Sequence, residues 1–103
     1  MVRGETGAWD GSAIGLPLVR QRNGGWEMFY SGWPKESNTA EVGYATSEDG
    51  IHWTRFDGNP VLAVPNEAIL LQSLVTLDDV YYVYYTVLGE WTIRVATGTV
   101  TWE

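Results

Sequence analysis

The sequence predicts an all-β protein, and three observations carry that expectation. Runs rich in aromatic and β-branched residues, such as 26–33 and 80–88, alternate with short turns of Gly, Asn and Asp. No window carries an apolar stripe of period 3.6; Leu70, Leu71 and Leu74 imitate one, but their neighbours favour a strand. The third observation is self-similarity. Val19 and Val75, Tyr30 and Tyr85, Ala45 and Ala96, and Trp53 and Trp102 are matching positions at offsets of 56, 55, 51 and 49 residues. The offsets shrink steadily, as they would if loops shortened while paired strands persisted.

Each element follows in order. Residues 1–13 read as an irregular lead-in rich in glycine and small polar residues. A first strand covers 16–21, alternating around Pro17, and Asn23-Gly24-Gly25 is a hairpin turn. The strand at 26–33 is apolar or aromatic on both faces, which implies burial on two sides. Residues 34–39 form a polar loop, 41–47 a third strand, Glu48-Asp49-Gly50 a tight turn, and 52–56 an outermost strand. Within that turn Ser47 and Asp49 can bond backbone amides, and Trp53 can fold back into the core. Asp57-Gly58-Asn59-Pro60 interrupts any ladder and marks a boundary. Beyond it come 69–77, a turn at Asp78-Asp79, then 80–88, 91–97 and 100–102.

The expected organisation is therefore a single domain of two repeats, about 9–58 and about 59–103. A unit of roughly fifty residues with several short strands has the size of a β-propeller blade. Arrays of this kind usually need at least three repeats to cover their faces. Two are present, so self-association is the expected remedy: a cyclic homo-oligomer, with a trimer giving six blades favoured over a dimer. The remaining blades of a longer protein are the other way of meeting the same need.

Composition narrows the function. Thirteen acidic residues against six basic ones give a net charge of −7, which disfavours nucleic acid because phosphate contacts need clustered Lys and Arg. No apolar run approaches a membrane span, so no membrane partner is expected. There is no cysteine, hence no disulfide or thiolate metal site, and one histidine cannot build a zinc site; no cofactor is expected. Six Trp, six Tyr and two Phe supply ample core material. No secretory signal is visible, so the cytoplasm is the default location, with secretion open if a leader is missing.

One run gives the chain a resemblance. Met28-Phe29-Tyr30-Ser31-Gly32, then Val42 to Arg55 with its Ser47-Glu48-Asp49-Gly50-Ile51-His52-Trp53 core, then Asn59-Pro60-Val61-Leu62, resembles a blade of the five-bladed propeller glycosidase superfamily. That superfamily takes in arabinanases and xylosidases, invertases and levansucrases, and β-mannoside phosphorylases (glycoside hydrolase families 43, 32 and 130). The likeness runs from Trp9 to Leu62; the second unit matches in its strands but lacks the Asp-Gly turn. It implies a cavity lined by carboxylates from successive blades and a carbohydrate ligand. Glycoside hydrolysis generally needs two carboxyl groups flanking the bond. By motif, Asp10 takes the first catalytic position and Glu67 the matching place in the second unit, where an aspartate is the superfamily's residue. The superfamily's general acid comes from a third blade, which has no counterpart here.

Each candidate has a plainer reading beside the functional one. Asp10 is also half of an Asp-Gly turn, and Glu67 is also a solvated loop carboxylate after Pro65-Asn66. Trp9 and Trp33 are either stacking platforms for sugar rings or packing residues. Arg20, Arg22 and Gln72, on or near inner strands, either face a ligand channel or pair with nearby acidic groups. His52 reads as a surface residue and Asp78-Asp79 as a hairpin tip. Two functions remain: glycan binding or glycoside hydrolysis in a central cavity, and a non-catalytic structural or sugar-binding module that has lost the chemistry.

Overall fold

A computed structural model describes residues 1–4, 8–34, 39–63, 68–89 and 92–99. All regular structure among them is β. Strands β1 (Ala13–Arg22), β2 (Gly25–Trp33), β3 (Glu41–Ser47) and β4 (Thr54–Arg55) form one antiparallel sheet in sequence order. Strands β5 (Ile69–Leu77), β6 (Val80–Val87) and β7 (Arg94–Gly98) form a second. The expected strand at 100–102, with Trp91 and Trp102, lies outside the described residues.

Turn chemistry sets both hairpins. Asn23 and Gly24 take φ of 47° and 79°, and Asp78 and Asp79 take 50° and 64°. Positive φ at both central residues is the two-residue turn whose twist matches the flanking strands. The first hairpin therefore closes with Arg22 opposite Gly25 and Arg20 opposite Glu27. Its loop is one residue shorter than the sequence suggested, because Gly25 already pairs.

The registers of the two sheets can be compared directly. Met28 pairs with Ala45, and Val83 pairs with Ala96, at the sequence offsets of 55 and 51. Both first strands carry one register irregularity, Gly15/Leu18 in β1 and Leu71/Ser73 in β5. Leu74 opposes Val83 as Val19 opposes Met28, so the β5 alignment moves by one residue from the sequence reading.

The sheets stack face to face. Leu18, Phe29, Val42 and Tyr44 of the first meet Ile69, Leu71, Leu74, Tyr81, Val83, Tyr85 and Val87 of the second. The Phe29 ring lies 4.9 Å from Tyr44 and 5.7 Å from Tyr81. On the far face of the first sheet, Met28, Tyr30 and Ala45 are covered by Met1, Trp9, Ile14 and Trp53. Strand β2 is thus buried on both sides, as its composition required.

Strand β4 is shorter than the expected 52–56, and Asp49 is the reason. Its Oδ1 accepts from the amides of Ile51 and His52, both at 2.8 Å, which removes them from the ladder. The segment after β4 then clamps β3 by other means. Phe56 N donates to Tyr44 O, Asn59 Oδ1 accepts from Tyr44 N, and Val42 exchanges bonds with Val61 and Leu62.

The His52 ring at 2.7 Å from Oδ2, with the His52 and Ile51 amides, holds the Asp49 carboxyl well below its ordinary value of 3.8. A lowered folded value means the turn is fully bonded above 3.8 and loses those bonds as pH falls through the folded value. In an NMR titration, the Ile51 and His52 amide resonances stay at their neutral-pH positions through the ordinary carboxylate range. They move only at lower pH; a midpoint at or above 3.8 would contradict the turn.

Candidate functional site

Asp10 follows Trp9 in a turn lying across the outer face of the first sheet. Its carboxylate accepts from Arg55 Nε at 2.8 Å and faces Tyr30 OH at 3.4 Å. The residue is 2% exposed, so it is committed to that ion pair. Arg55 also donates to Val2 O, tying the N-terminal segment to β4. Burial, and then the Asp10 charge, push the Tyr30 phenol up, so it remains a neutral donor.

Trp9 stacks on Tyr30 with ring centroids 5.7 Å apart. Its ring lies flat because Gly32 and Gly43 present no side chain there: a Cβ at either would come within 2.6 Å of the indole. Trp33, at the end of β2, is half-buried and pairs with Ala13. Gln72 is exposed beside the β5 irregularity, with Nε2 at 3.3 Å from Thr86 Oγ1. Glu67 lies outside the described residues.

Arg20 and Arg22 converge on a residue that the sequence reading did not single out. Glu27 is fully buried between the sheets. Its Oε2 accepts from Arg20 Nε at 2.6 Å, while Oε1 accepts from Tyr81 OH at 2.6 Å and Tyr44 OH at 2.9 Å. Arg22 stands 3.6 Å away, and both guanidinium groups lie over the Tyr81 ring at 5.5 and 5.1 Å. Arg20 also donates to Thr76 Oγ1 at 2.6 Å. One carboxylate therefore joins β1, β2 and β3 of one sheet to β6 of the other, and Arg20 adds β5. Burial and the Glu27 bond drive the Tyr44 phenol far above its ordinary range, so it donates and does not ionise.

The structure thus brings Trp9 together with Asp10, and Arg20 together with Arg22. It sets the two groups on opposite faces of the first sheet: Asp10 sits with Tyr30, whereas Glu27 faces Tyr81. Two buried carboxylates separated by a sheet cannot flank one glycosidic bond.

Several clefts lie near these residues, one of about 810 Å³ running from Arg22 and Trp26 to the Ser47–His52 turn. An apolar one of about 700 Å³ opens between the sheets, walled by Phe29, Tyr44, Phe56, Tyr81 and Ala96, and none of the candidates among the described residues lines it. A smaller one of about 410 Å³ is polar, walled by Arg20, Arg22, Thr76, Asp78, Asp79 and Tyr81. Guanidinium donors and carboxylate acceptors around one hollow suit a ligand bearing several hydroxyl groups. No group of three or more potential metal ligands occurs among the described residues.

Comparison with known proteins adds one likeness. One stretch is similar to a carbohydrate-active enzyme. Over 54 residues the chain is 43% identical to a β-1,2-mannobiose phosphorylase of Thermoanaerobacter sp. (strain X514). The match takes in 48% of this chain and 18% of that protein, so the chain spans less than a fifth of the relative's length. No family model matches the chain. No solved structure matches it.

Proposed function

We propose that the protein is a carbohydrate-binding module built from two propeller-like blades, without glycosidase chemistry of its own. The observation that carries the carbohydrate reading is the 43% identity to a mannobiose phosphorylase. The choice of binding over hydrolysis rests on Asp10. A carboxylate 2% exposed and held by Arg55 is not presented to a sugar as base or nucleophile. The polar cleft beside Arg20, Thr76, Asp78 and Asp79 is the proposed sugar site. A β-linked mannoside is the first ligand to try, since that is the relative's substrate class.

An amide NMR titration with β-1,2-mannobiose tests the reading, run beside an assay for mannose release with inorganic phosphate present. Shifts confined to the surroundings of Arg20, Thr76, Asp78 and Asp79, without mannose release, are expected. Asp10→Asn leaves those shifts in place. Mannose release that Asp10→Asn abolishes would make the protein an enzyme, and a spectrum unmoved at tens of millimolar sugar would remove the proposed site.

A further inference from the structure

Three turns share one end of the molecule. Arg22 pairs with Gly25 and Trp26 with Ser47, so the Asn23-Gly24 hairpin and the turn after β3 lie side by side. Arg20 donates to Thr76 Oγ1, which brings the Asp78-Asp79 hairpin of the second sheet to the same rim. The polar cleft of about 410 Å³ lies between the two arginines and the Asp78-Asp79 hairpin. The cleft of about 810 Å³ lies between Asn23, Trp26 and the Ser47–His52 turn. Arg22 lines both, so they adjoin along its side chain.

The larger cleft carries the groups a sugar ring calls for. Trp26 lines it half-buried and is seated against Gly50, where a Cβ would lie 3.4 Å from the indole nitrogen. An indole held from behind offers its remaining surface to the C–H groups of a pyranose. Asp49 Oδ2 stands 2.7 Å from His52 Nδ1. Held ionised, that carboxylate can only accept, so Nδ1 donates and Nε2 of the neutral ring is an acceptor for a hydroxyl. Thr46 and Thr54 add hydroxyls of their own. Charges of both signs line the two clefts, which suits a neutral ligand with many hydroxyl groups.

We infer that the two clefts form one groove whose ligand is a linear oligosaccharide, longer than a disaccharide, that crosses Arg22 and packs on Trp26. This inference rests on the carbohydrate reading and deepens it by naming the size of the ligand. One sheet spacing of about 10 Å and two strand spacings of about 4.8 Å give a path of roughly 20 Å between the outer turns. A disaccharide covers only part of that path. A longer chain held in the smaller cleft meets the larger one as a tethered ligand, so its second set of contacts tightens binding.

Amide NMR titrations of the whole chain with β-1,2-mannobiose and with the tetrasaccharide of the same linkage test it. The tetrasaccharide binds about tenfold more tightly or better, and its shifts extend to Ser47–His52 and the Trp26 indole N–H. Trp26→Leu, with unchanged circular dichroism, brings the tetrasaccharide back towards mannobiose affinity and leaves mannobiose binding as it was. His52→Ala, at a side chain 87% exposed and so without cost to the core, acts in the same direction. Equal affinities for the two sugars, shifts confined to the smaller cleft, or a tetrasaccharide indifferent to both variants would each overturn the inference while the proposed function stands. Binding of neither sugar would remove the proposed function, and the groove with it.

Discussion

Glu27→Leu is expected to lower stability by about 3 kcal/mol, with a fall in melting temperature on the order of 15 °C. The change removes the acceptor for Tyr44 OH and Tyr81 OH and the counter-charge of Arg20 and Arg22. Uncompensated donors and cations are what make breaking a buried pair so costly, since the pair itself contributes far less. Arg20 can turn part of the way to water, its side chain being 32% exposed, which keeps the effect at the lower end of the range for buried pairs. Leu matches Glu in bulk, so little of the loss can be assigned to a cavity. Glu27→Gln keeps one acceptor and costs roughly half as much. Urea denaturation measures both, and a Glu27→Leu loss below about 1 kcal/mol would mean that the network contributes little.

Gly43→Ala is the second large effect, about 2 kcal/mol, although it adds a single methyl group. That methyl would lie 2.6 Å from Trp9 Cη2 and 2.7 Å from Tyr30 Cζ. Tyr30 is fixed in the core at 1% exposure, so the half-buried Trp9 must lift. The Asp10–Arg55 pair would be strained with it, because Asp10 is the next residue. The Trp9 indole N–H resonance should shift and broaden while the amides of β6 stay in place. Trp9→Ala should absorb most of the cost: the double variant falls well short of additivity. Full additivity would show that the indole does not rest on Gly43.

Much of this architecture is legible in the residues. Aromatic runs placed β2 and β6, and Asn23-Gly24 and Asp78-Asp79 placed the hairpins. The lapse at 52–56 came from Asp49, whose side chain takes amides that a period-2 pattern assigns to a ladder. Glu27 could have been found. A lone carboxylate inside a strand apolar on both faces needs partners, and a two-residue turn at Asn23-Gly24 sets Arg20 directly opposite it. Reading three turn residues there hid the pairing. Tyr81, fifty-four residues away, had no local signal, because contact between sheets depends on how their faces meet. The burial of Asp10 was hidden for a similar reason: its partner Arg55 lies forty-five residues on.

The two sheets form one unit, fastened by Glu27 reaching across to Tyr81. A double-mutant cycle between Glu27→Leu and Tyr81→Phe, followed by urea denaturation, tests that contact most directly. A coupling of about 1 kcal/mol or more is predicted, because the bond is buried and charge-assisted. Strictly additive losses would mean that the sheets do not meet through this pair.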